Sequence, residues 1–202
     1  YGPQYVRGIL EGNGQPADGD LWVAYSMNKE DMWVARVPVP VTTEAHAQAD
    51  DDFSCVARLS KLTAWNIYSP LLARVSLDGE WLVLSDKDPF DYARVERKIP
   101  ATSELRVSFD IQAAQNHNGL LQIEFLDKNG LACSRLEFTA DGTARCKSGA
   151  RYGTFLKYEP DRTYHIDAEL SVADRMITLF VDGKQVVKRV FFAPVHSIER
   201  VC

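Results

Sequence analysis

One stretch near the C-terminal end, residues 164–187, restricts the possible folds most strongly. Apolar and polar residues alternate along its first part, which is the period of a β-strand with one buried face and one solvated face. The alternation resumes at residues 177–181, and the tight turn Asp182-Gly183 leads into a third run. The stretch therefore predicts a meander of antiparallel strands. The apolar residues of its first strand are Tyr164, Ile166, Ala168, Leu170 and Val172.

The remainder of the chain repeats this pattern. Short runs rich in β-branched and aromatic residues are separated by Gly, Pro, Asn and Asp, while helical periods are nearly absent. A hydrophobic content of 46% in 202 residues is ample for a packed core. We predict an all-β fold: an antiparallel two-sheet sandwich with a jelly-roll arrangement and an N-terminal β-hairpin. The predicted segments are a hairpin at 1–41, a linker and irregular entry at 42–63, and the sandwich at 64–202.

Charge and hydropathy exclude several classes of protein. The formal net charge is −5 and the basic residues are scattered, whereas binding to nucleic acid or an anionic membrane needs a concentrated positive face. No apolar run approaches the roughly 18 to 20 residues of a membrane span. Neither a phosphate-binding loop nor a Gly-rich nucleotide motif is present. We therefore expect no nucleic-acid partner and no membrane span.

The cysteines indicate thiols and not a metal site. None of the four is in a CxxC pair, which argues against zinc. A hairpin turning at Asp141-Gly142 would place Cys146 opposite Glu137 and away from Cys133. Buried free thiols are therefore predicted, with a disulfide as the alternative. The four residues are Cys55, Cys133, Cys146 and Cys202.

A hairpin is predicted near the N-terminus, with strand-like runs at 21–25 and 32–37 joined by a polar tip. The spacing Ser26-x-Asn28-x-x-x-x-Trp33 resembles a degenerate Asp-box, the turn found in blades of sialidase-like β-propellers, with Asn28 in place of the aspartate. The resemblance implies that residues 18–41 are the closing blade of an upstream propeller. Since the chain starts at Tyr1 without Met, we expect it to be a piece of a longer polypeptide.

The stretch 164–187 also carries a family resemblance. Its order of aromatic entry, long strand, polar turn and a strand ending in Val181-Asp182-Gly183-Lys184 resembles laminin G-like and concanavalin A-like sandwiches. The resemblance implies a carbohydrate partner or an adhesive role, and such sandwiches often carry structural calcium. Combined with the blade-like hairpin, it resembles secreted bacterial glycan-active proteins. A secreted, periplasmic or cell-surface location follows as an expectation.

Candidate ligand-binding residues lie in an aromatic segment, Trp65-Asn66-Ile67-Tyr68, which the sequence places in a loop before Pro70. Aromatic rings can stack on sugar rings while a nearby amide bonds the hydroxyls. Trp65, Asn66 and Tyr68 are therefore candidate carbohydrate ligands. The alternative is that both rings fill the edge of the core, because large aromatic residues are mostly buried.

A candidate calcium site lies in the segment 85–92. Asp86, Asp88 and Asp91 could supply the oxygen ligands that calcium prefers. No Gly follows to help the chain wrap, and no downstream glutamate stands at loop spacing. The alternative is that these aspartates form turns by bonding their own backbone. A structural calcium ion is the one cofactor considered, and otherwise none is expected.

The strongest catalytic candidates alternate along one strand, as His165, Asp167 and Glu169. Some glycosidases with this sandwich place their acid and nucleophile in this way. Here the family-style motif Glu-x-Asp-x-x-Glu is missing, because His165 stands where the first glutamate would be. A solvated polar face is the better interpretation, so Asp167 and Glu169 are weak candidates and no catalytic residue is predicted. Nor does any nucleophile motif accompany the histidines.

Two functions are consistent with these patterns. The first is a non-catalytic carbohydrate-binding or architectural module at the C-terminal part of a secreted glycan-active protein. The alternative is an integral portion of a sialidase-like glycoside hydrolase whose catalytic residues lie upstream of Tyr1. Both expect an upstream domain of the same polypeptide as a partner.

Overall fold

The computed structural model describes residues 3–9, 20–27, 29–38, 45–47, 50–69, 72–89 and 92–202. Within these ranges the protein is all-β, as predicted, and its only helical segments are 3-10 turns at Phe53–Cys55 and Leu59–Lys61. The chain divides into two compact units, Tyr1–Arg97 and Lys98–Cys202. The strands are β1 (Pro3–Ile9), β2 (Asp20–Met27), β3 (Asp31–Pro38), β4 (Trp65–Tyr68), β5 (Ala73–Asp78), β6 (Trp81–Asp86), β7 (Arg94–Thr102), β8 (Glu104–Gln112), β9 (Leu120–Leu126), β10 (Ala132–Thr139), β11 (Thr143–Ser148), β12 (Arg151–Lys157), β13 (Thr163–Ser171), β14 (Met176–Val181), β15 (Lys184–Val190) and β16 (Ile198–Val201).

The first unit contains small antiparallel sheets. Strands β1, β2 and β3 form one of them, and the β2–β3 pair confirms the predicted hairpin. Asn28, at its tip, lies outside the described residues. Strands β5 and β6 form a second hairpin, and β4 pairs with the first half of β7. There the buried Arg97 donates to Asp51 at 3.0 Å and to the carbonyl of Ala64 at 3.3 Å, which ties the segment before β4 to β7.

The second unit contains two antiparallel sheets. The larger sheet has the order β12-β11-β10-β9-β16-β7, with the unit boundary inside β7. The four-stranded sheet has the order β15-β14-β13-β8. Its central pair has Ile166 opposite Val181 and Leu170 opposite Ile177, which confirms the meander predicted from the alternation.

Both sheets of the second unit contribute to one apolar cluster. Leu136 and Phe125 come from the larger sheet, while Leu170, Ile177 and Leu179 come from the four-stranded sheet, and all are nearly inaccessible to water. Burying one such side chain stabilises the fold by about 1.5 to 3 kcal/mol. Since every second residue of these strands points into the cluster, the residues between them point outward.

Two predicted local structures are wrong. The sequence of residues 149–158 predicts a loop, but Arg151–Lys157 is strand β12, paired with β11. Gly153 and Thr154 interrupt its apolar pattern and hide the strand. The sequence also predicts a last strand over residues 191–201, but this strand covers only Ile198–Val201. Before it, the backbone N–H of Phe192 bonds the carbonyl of Cys133 at 3.0 Å, so this segment crosses to another strand and does not continue a ladder.

The predicted hairpin register at Asp141-Gly142 is wrong by one residue. Cys146 is opposite Leu136, and Glu137 is opposite Arg145. The prediction assumed a two-residue turn, but the connection holds one more residue and Gly142 adopts a left-handed φ of 75°. Because strand faces alternate, this shift turns Cys146 toward the core and Arg145 toward Glu137.

All four cysteines are free, but only Cys133 and Cys146 are buried, so the prediction of buried thiols is wrong for Cys55 and Cys202. Cys133 and Cys146 are buried in the apolar cluster, and burial raises the pKa of the Cys133 thiol to about 12 and also raises that of Cys146. Cys55 is exposed.

Across the described part of the chain, no helix has the length and apolar character that crossing a bilayer requires.

Candidate functional site

The outward residues of the second unit form two polar faces. They differ in how firmly their side chains are held. The Glu137 face, on the larger sheet, consists of Gln122, Glu124, Arg135, Glu137, Arg145, Lys147 and Tyr152. The His165 face, on the four-stranded sheet, consists of Arg106, Ser108, Asp110, His165, Asp167 and Glu169.

Glu137 is the centre of the first face and is only 3% exposed. Arg145 Nε donates to its Oε2 at 2.8 Å, while Gln122 Nε2 and the Tyr152 hydroxyl donate to its Oε1 at 2.9 and 3.0 Å. Burial alone would raise the pKa of Glu137, but the hydrogen bonds from Arg145, Gln122 and Tyr152 outweigh it and hold the pKa below its ordinary value. The carboxylate is therefore ionised and its oxygens are occupied.

Strand register brings these partners together. Glu137 on β10 is directly opposite Gln122 on β9 and Arg145 on β11. In the next outward row, Arg135 is opposite Glu124 and bonds its Oε1 at 2.6 Å through Nε. Directly opposed side chains of unlike charge stabilise a sheet, so the order of the strands itself assembles the network.

Two aromatic rings lie among the cations of this face. The Tyr152 ring is 4.4 Å from the Arg145 guanidinium and its residue is 39% exposed. Lys147 Nζ is 4.3 Å from the centroid of Phe192 and 5.8 Å from that of Tyr152. A partly exposed ring held in place beside hydrogen-bonding groups provides a surface on which a sugar can stack.

The protonation state of Glu137 does not suit a general acid in hydrolysis. A general acid in a glycosidase needs a carboxyl group whose pKa is raised so that it keeps its proton. The pKa of Glu137 is lowered, and Glu124 is bound to Arg135. Glu137 therefore orients cations and a ring and is unsuited to act as a general acid.

The His165 face contains an arrangement that resembles a Ser-His-Asp triad. His165 Nδ1 is 2.6 Å from Asp110 Oδ1, and its Nε2 is 3.1 Å from Ser108 Oγ and 3.5 Å from Asp167 Oδ1. The hydrogen bond with Asp110 is the main reason that the pKa of His165 is raised, with a further contribution from Asp167. A triad histidine must be neutral to accept the serine proton. Here the raised pKa shifts the balance toward the imidazolium, and the His165 and Asp110 side chains are about half exposed.

The weak catalytic candidates also lie on this face. Asp167 is beside His165, while Glu169 is 3.6 Å from Arg106 in an exposed ion pair. Glu169 and Arg106 line a depression of about 810 Å³ at one end of the sheet. Both carboxylates are in contact with solvent. Their substitution remains the direct test of any role in hydrolysis.

The predicted aromatic ligands belong to strand β4 and not to a loop. Trp65 and Tyr68 are three residues apart on this strand, so their side chains point to opposite faces. The Trp65 ring packs against Phe53 with centroids 5.9 Å apart, and Tyr68 packs against the exposed Tyr92 at 5.7 Å. One sugar cannot stack on both rings from the same side. Ligand binding by Trp65, Asn66 and Tyr68 stays a prediction.

The predicted calcium ligands are only partly described. Asp86 ends β6, and its Oδ1 accepts the backbone N–H of the buried Asp88 at 2.8 Å, which is the turn geometry considered as the alternative. Asp91 lies outside the described residues. Among the residues whose positions are given, no three carboxylate, histidine or cysteine side chains are grouped as metal ligands. Calcium binding stays a prediction.

Comparison with known proteins identifies the class of this domain. Residues 65–202 match the model of the family described as "Sialidase-like, CBM domain", and the chain therefore belongs to this family of carbohydrate-binding-module domains. A solved structure titled "Sialidase" is similar over 100% of this chain, with 64% sequence identity and a TM-score of 0.85. This chain covers 19% of that protein. No curated protein matches the chain significantly.

The Glu137 face was missed from the sequence. Its outward residues alternate in an ordinary way, as Gln122-x-Glu124, Arg135-x-Glu137 and Arg145-x-Lys147. The opposite charges that these hairpins bring together could have indicated the site. To pair these charges correctly, however, the register between β10 and β11 must be known, and the predicted register was wrong by one residue.

Proposed function

We propose that this chain is a non-catalytic carbohydrate-binding module and that the Glu137 face is its sugar-binding surface. The observation that carries the proposal is the Tyr152 ring. It is partly exposed, yet its hydroxyl is fixed by Glu137 and its ring is in contact with the Arg145 guanidinium. A ring already held in position loses little conformational freedom when a sugar stacks on it.

The proposal includes the finer architecture. The second unit is a concanavalin A-like or laminin G-like sandwich, which is supported by two apolar clusters that each draw residues from both sheets. The N-terminal strands β1, β2 and β3 belong to the closing part of an upstream sialidase-like propeller. The similarity of the whole chain to 19% of a protein titled "Sialidase" supports this arrangement. The upstream part carries the catalytic residues, and the parent protein is secreted or displayed at the cell surface.

Affinity electrophoresis of the full chain against a panel of polysaccharides tests the binding surface. We expect at least one polysaccharide to retard the protein and Tyr152→Leu to weaken the retardation, because stacking on a ring contributes about 1 kcal/mol, or roughly fivefold in Kd. Tyr152→Phe keeps the ring and should retain more of the binding than Tyr152→Leu. Melting temperatures of both variants separate a binding effect from unfolding.

The rival surface around β4 provides the matched controls. Tyr92→Leu and Tyr68→Leu remove the two rings that contact each other there, and both variants should bind as the wild type does. Loss of binding in Tyr68→Leu but not in Tyr152→Leu would move the site to the predicted ligands Trp65, Asn66 and Tyr68. Release of reducing sugar that disappears in Glu169→Gln would instead refute the non-catalytic assignment.

A further inference from the structure

The cations of the Glu137 face are not equally neutralised. Arg145 is paired with Glu137 at 2.8 Å, and Arg135 is paired with Glu124. Lys147 lies near both rings, but among the described residues no carboxylate is within 4.0 Å of its ammonium group. The oxygens of Glu137 already accept three hydrogen bonds from other donors. The face therefore presents one positive charge that the protein itself does not balance.

The position of this charge differs from that of an ordinary surface lysine. Lys147 Nζ is 4.3 Å from the Phe192 centroid, and cation–π attraction to this ring and to Tyr152 restrains it. The backbone N–H of Phe192 is anchored on the Cys133 carbonyl, so the ring approaches the lysine from a fixed segment. The ammonium group is thus held at the same surface as the ring proposed to receive the sugar.

We propose that the ligand of this face is an acidic carbohydrate, with a sugar ring stacked on Tyr152 and its carboxylate bound by Lys147. The inference rests on the proposed function and adds the ligand class. A single uncompensated ammonium group matches the single charge of a carboxylate, and a hydrogen bond between two ions is among the stronger polar contacts. The two arginines are already bound to glutamates, so they fix the geometry of the face and are not the primary anion ligands.

The experiment uses pairs of probes that differ only in charge. Isothermal titration of the full chain would compare methyl glycosides of galacturonic, glucuronic and N-acetylneuraminic acid with their methyl esters. We expect at least one free acid to bind about tenfold more tightly than its ester, since a hydrogen bond to a charged group is worth roughly this factor. The preference should decrease as salt is added. If none of the acids binds better than its ester, the proposal is wrong.

Substitution of the lysine tests whether the preference belongs to this residue. Lys147→Met keeps most of the stem on the rings and removes the charge, so it should abolish the preference for the acid. Lys147→Arg keeps the charge and should restore much of it. Lys188→Met, at an exposed position on β15 of the other sheet, is the matched control and should leave the preference unchanged.

The outcomes distinguish this inference from the function on which it rests. Binding of neutral polysaccharides that Tyr152→Leu weakens and Lys147→Met leaves intact would keep the module and refute the acidic ligand. An acid preference that survives in Lys147→Met would place the anion elsewhere and also refute the inference. Absence of binding to every acidic and neutral probe would refute both proposals together.

Discussion

The two polar faces of the second unit contain similar residues, but their hydrogen-bonded side chains differ in exposure to solvent. Glu137 is nearly inaccessible and accepts hydrogen bonds from three side chains on both neighbouring strands and on β12. His165 has bonds of similar length, yet its side chain is 49% exposed and that of its partner Asp110 is 57% exposed. Water competes for the second set of bonds and not for the first. Bond length alone is therefore a poor guide to which face is rigid enough to act as a site.

The largest expected difference follows from removing the central acid of each face. Glu137→Ala leaves the Arg145 guanidinium, the Gln122 amide and the Tyr152 hydroxyl without their shared acceptor, and losing these hydrogen bonds to a charged group should cost about 3 kcal/mol. Asp110→Ala removes an exposed partner and should cost less than about 1 kcal/mol. Urea unfolding of both variants measures the two losses. Equal losses would contradict the contrast between the faces.

A smaller difference is expected for the arginines. Arg145→Met removes one donor from the buried Glu137, and a hydrogen bond to a charged group is worth about 1.5 to 3 kcal/mol. Arg106→Met removes the partner of Glu169, but the Arg106 side chain is 86% exposed and the pair is 3.6 Å apart, so a loss within about 0.5 kcal/mol is expected. The same unfolding measurement applies. Destabilisation by Arg106→Met as large as that by Arg145→Met would show that exposure does not set the energy here.

Tyr152 contributes to the same contrast because it can be changed without removing the acid. Tyr152→Phe deletes only the hydroxyl that donates to Glu137 at 3.0 Å, and a net loss of about 1 kcal/mol is expected. Ser108→Ala on the other face deletes a hydroxyl that bonds the exposed His165 and should have little effect. Thermal unfolding compares the stability of the two variants. A larger loss in Ser108→Ala than in Tyr152→Phe would contradict the conclusion that the Glu137 face holds its side chains more firmly.

The sequence predicted the strands better than the faces they present. Alternation alone predicts β8, β9, β13 and β14, because each has an unbroken row of inward apolar residues. It fails at β12, where Gly153 contributes no apolar side chain. At Gly142 one additional turn residue shifts the register, and this shift decides whether Arg145 meets Glu137.

Contacts between distant strands were beyond prediction altogether. His165 and Asp110 are 55 residues apart, and they meet only because β13 pairs with β8 in one particular register. Period-two patterns identify which residues share a face of a strand, but they do not identify the neighbouring strand. For this reason the sequence singled out His165, Asp167 and Glu169 as a row and missed their partners Ser108, Asp110 and Arg106.

The smallest expected effect is the pH response of the His165 face. The hydrogen bond to Asp110, with a contribution from Asp167, raises the pKa of His165 above 6.5, its ordinary value. Stability from this imidazolium is therefore complete below about pH 6.5 and is lost as the pH rises through the folded-state pKa. The pH dependence from Glu137 has the opposite sign: its lowered pKa gives stability above about pH 4.5 that is lost as the pH falls.

NMR titration of the His165 ring in wild type and Asp110→Asn measures the shift in the His165 pKa, and the variant should titrate at lower pH. Asp182, whose carboxylate accepts the His165 backbone N–H and pairs with Arg162, provides the control, since Asp182→Asn should move the midpoint less than Asp110→Asn. A wild-type midpoint at or below 6.5 would mean that solvent screens the ion pair completely, and the His165 face would then be a solvated surface without any electrostatic organisation of its own.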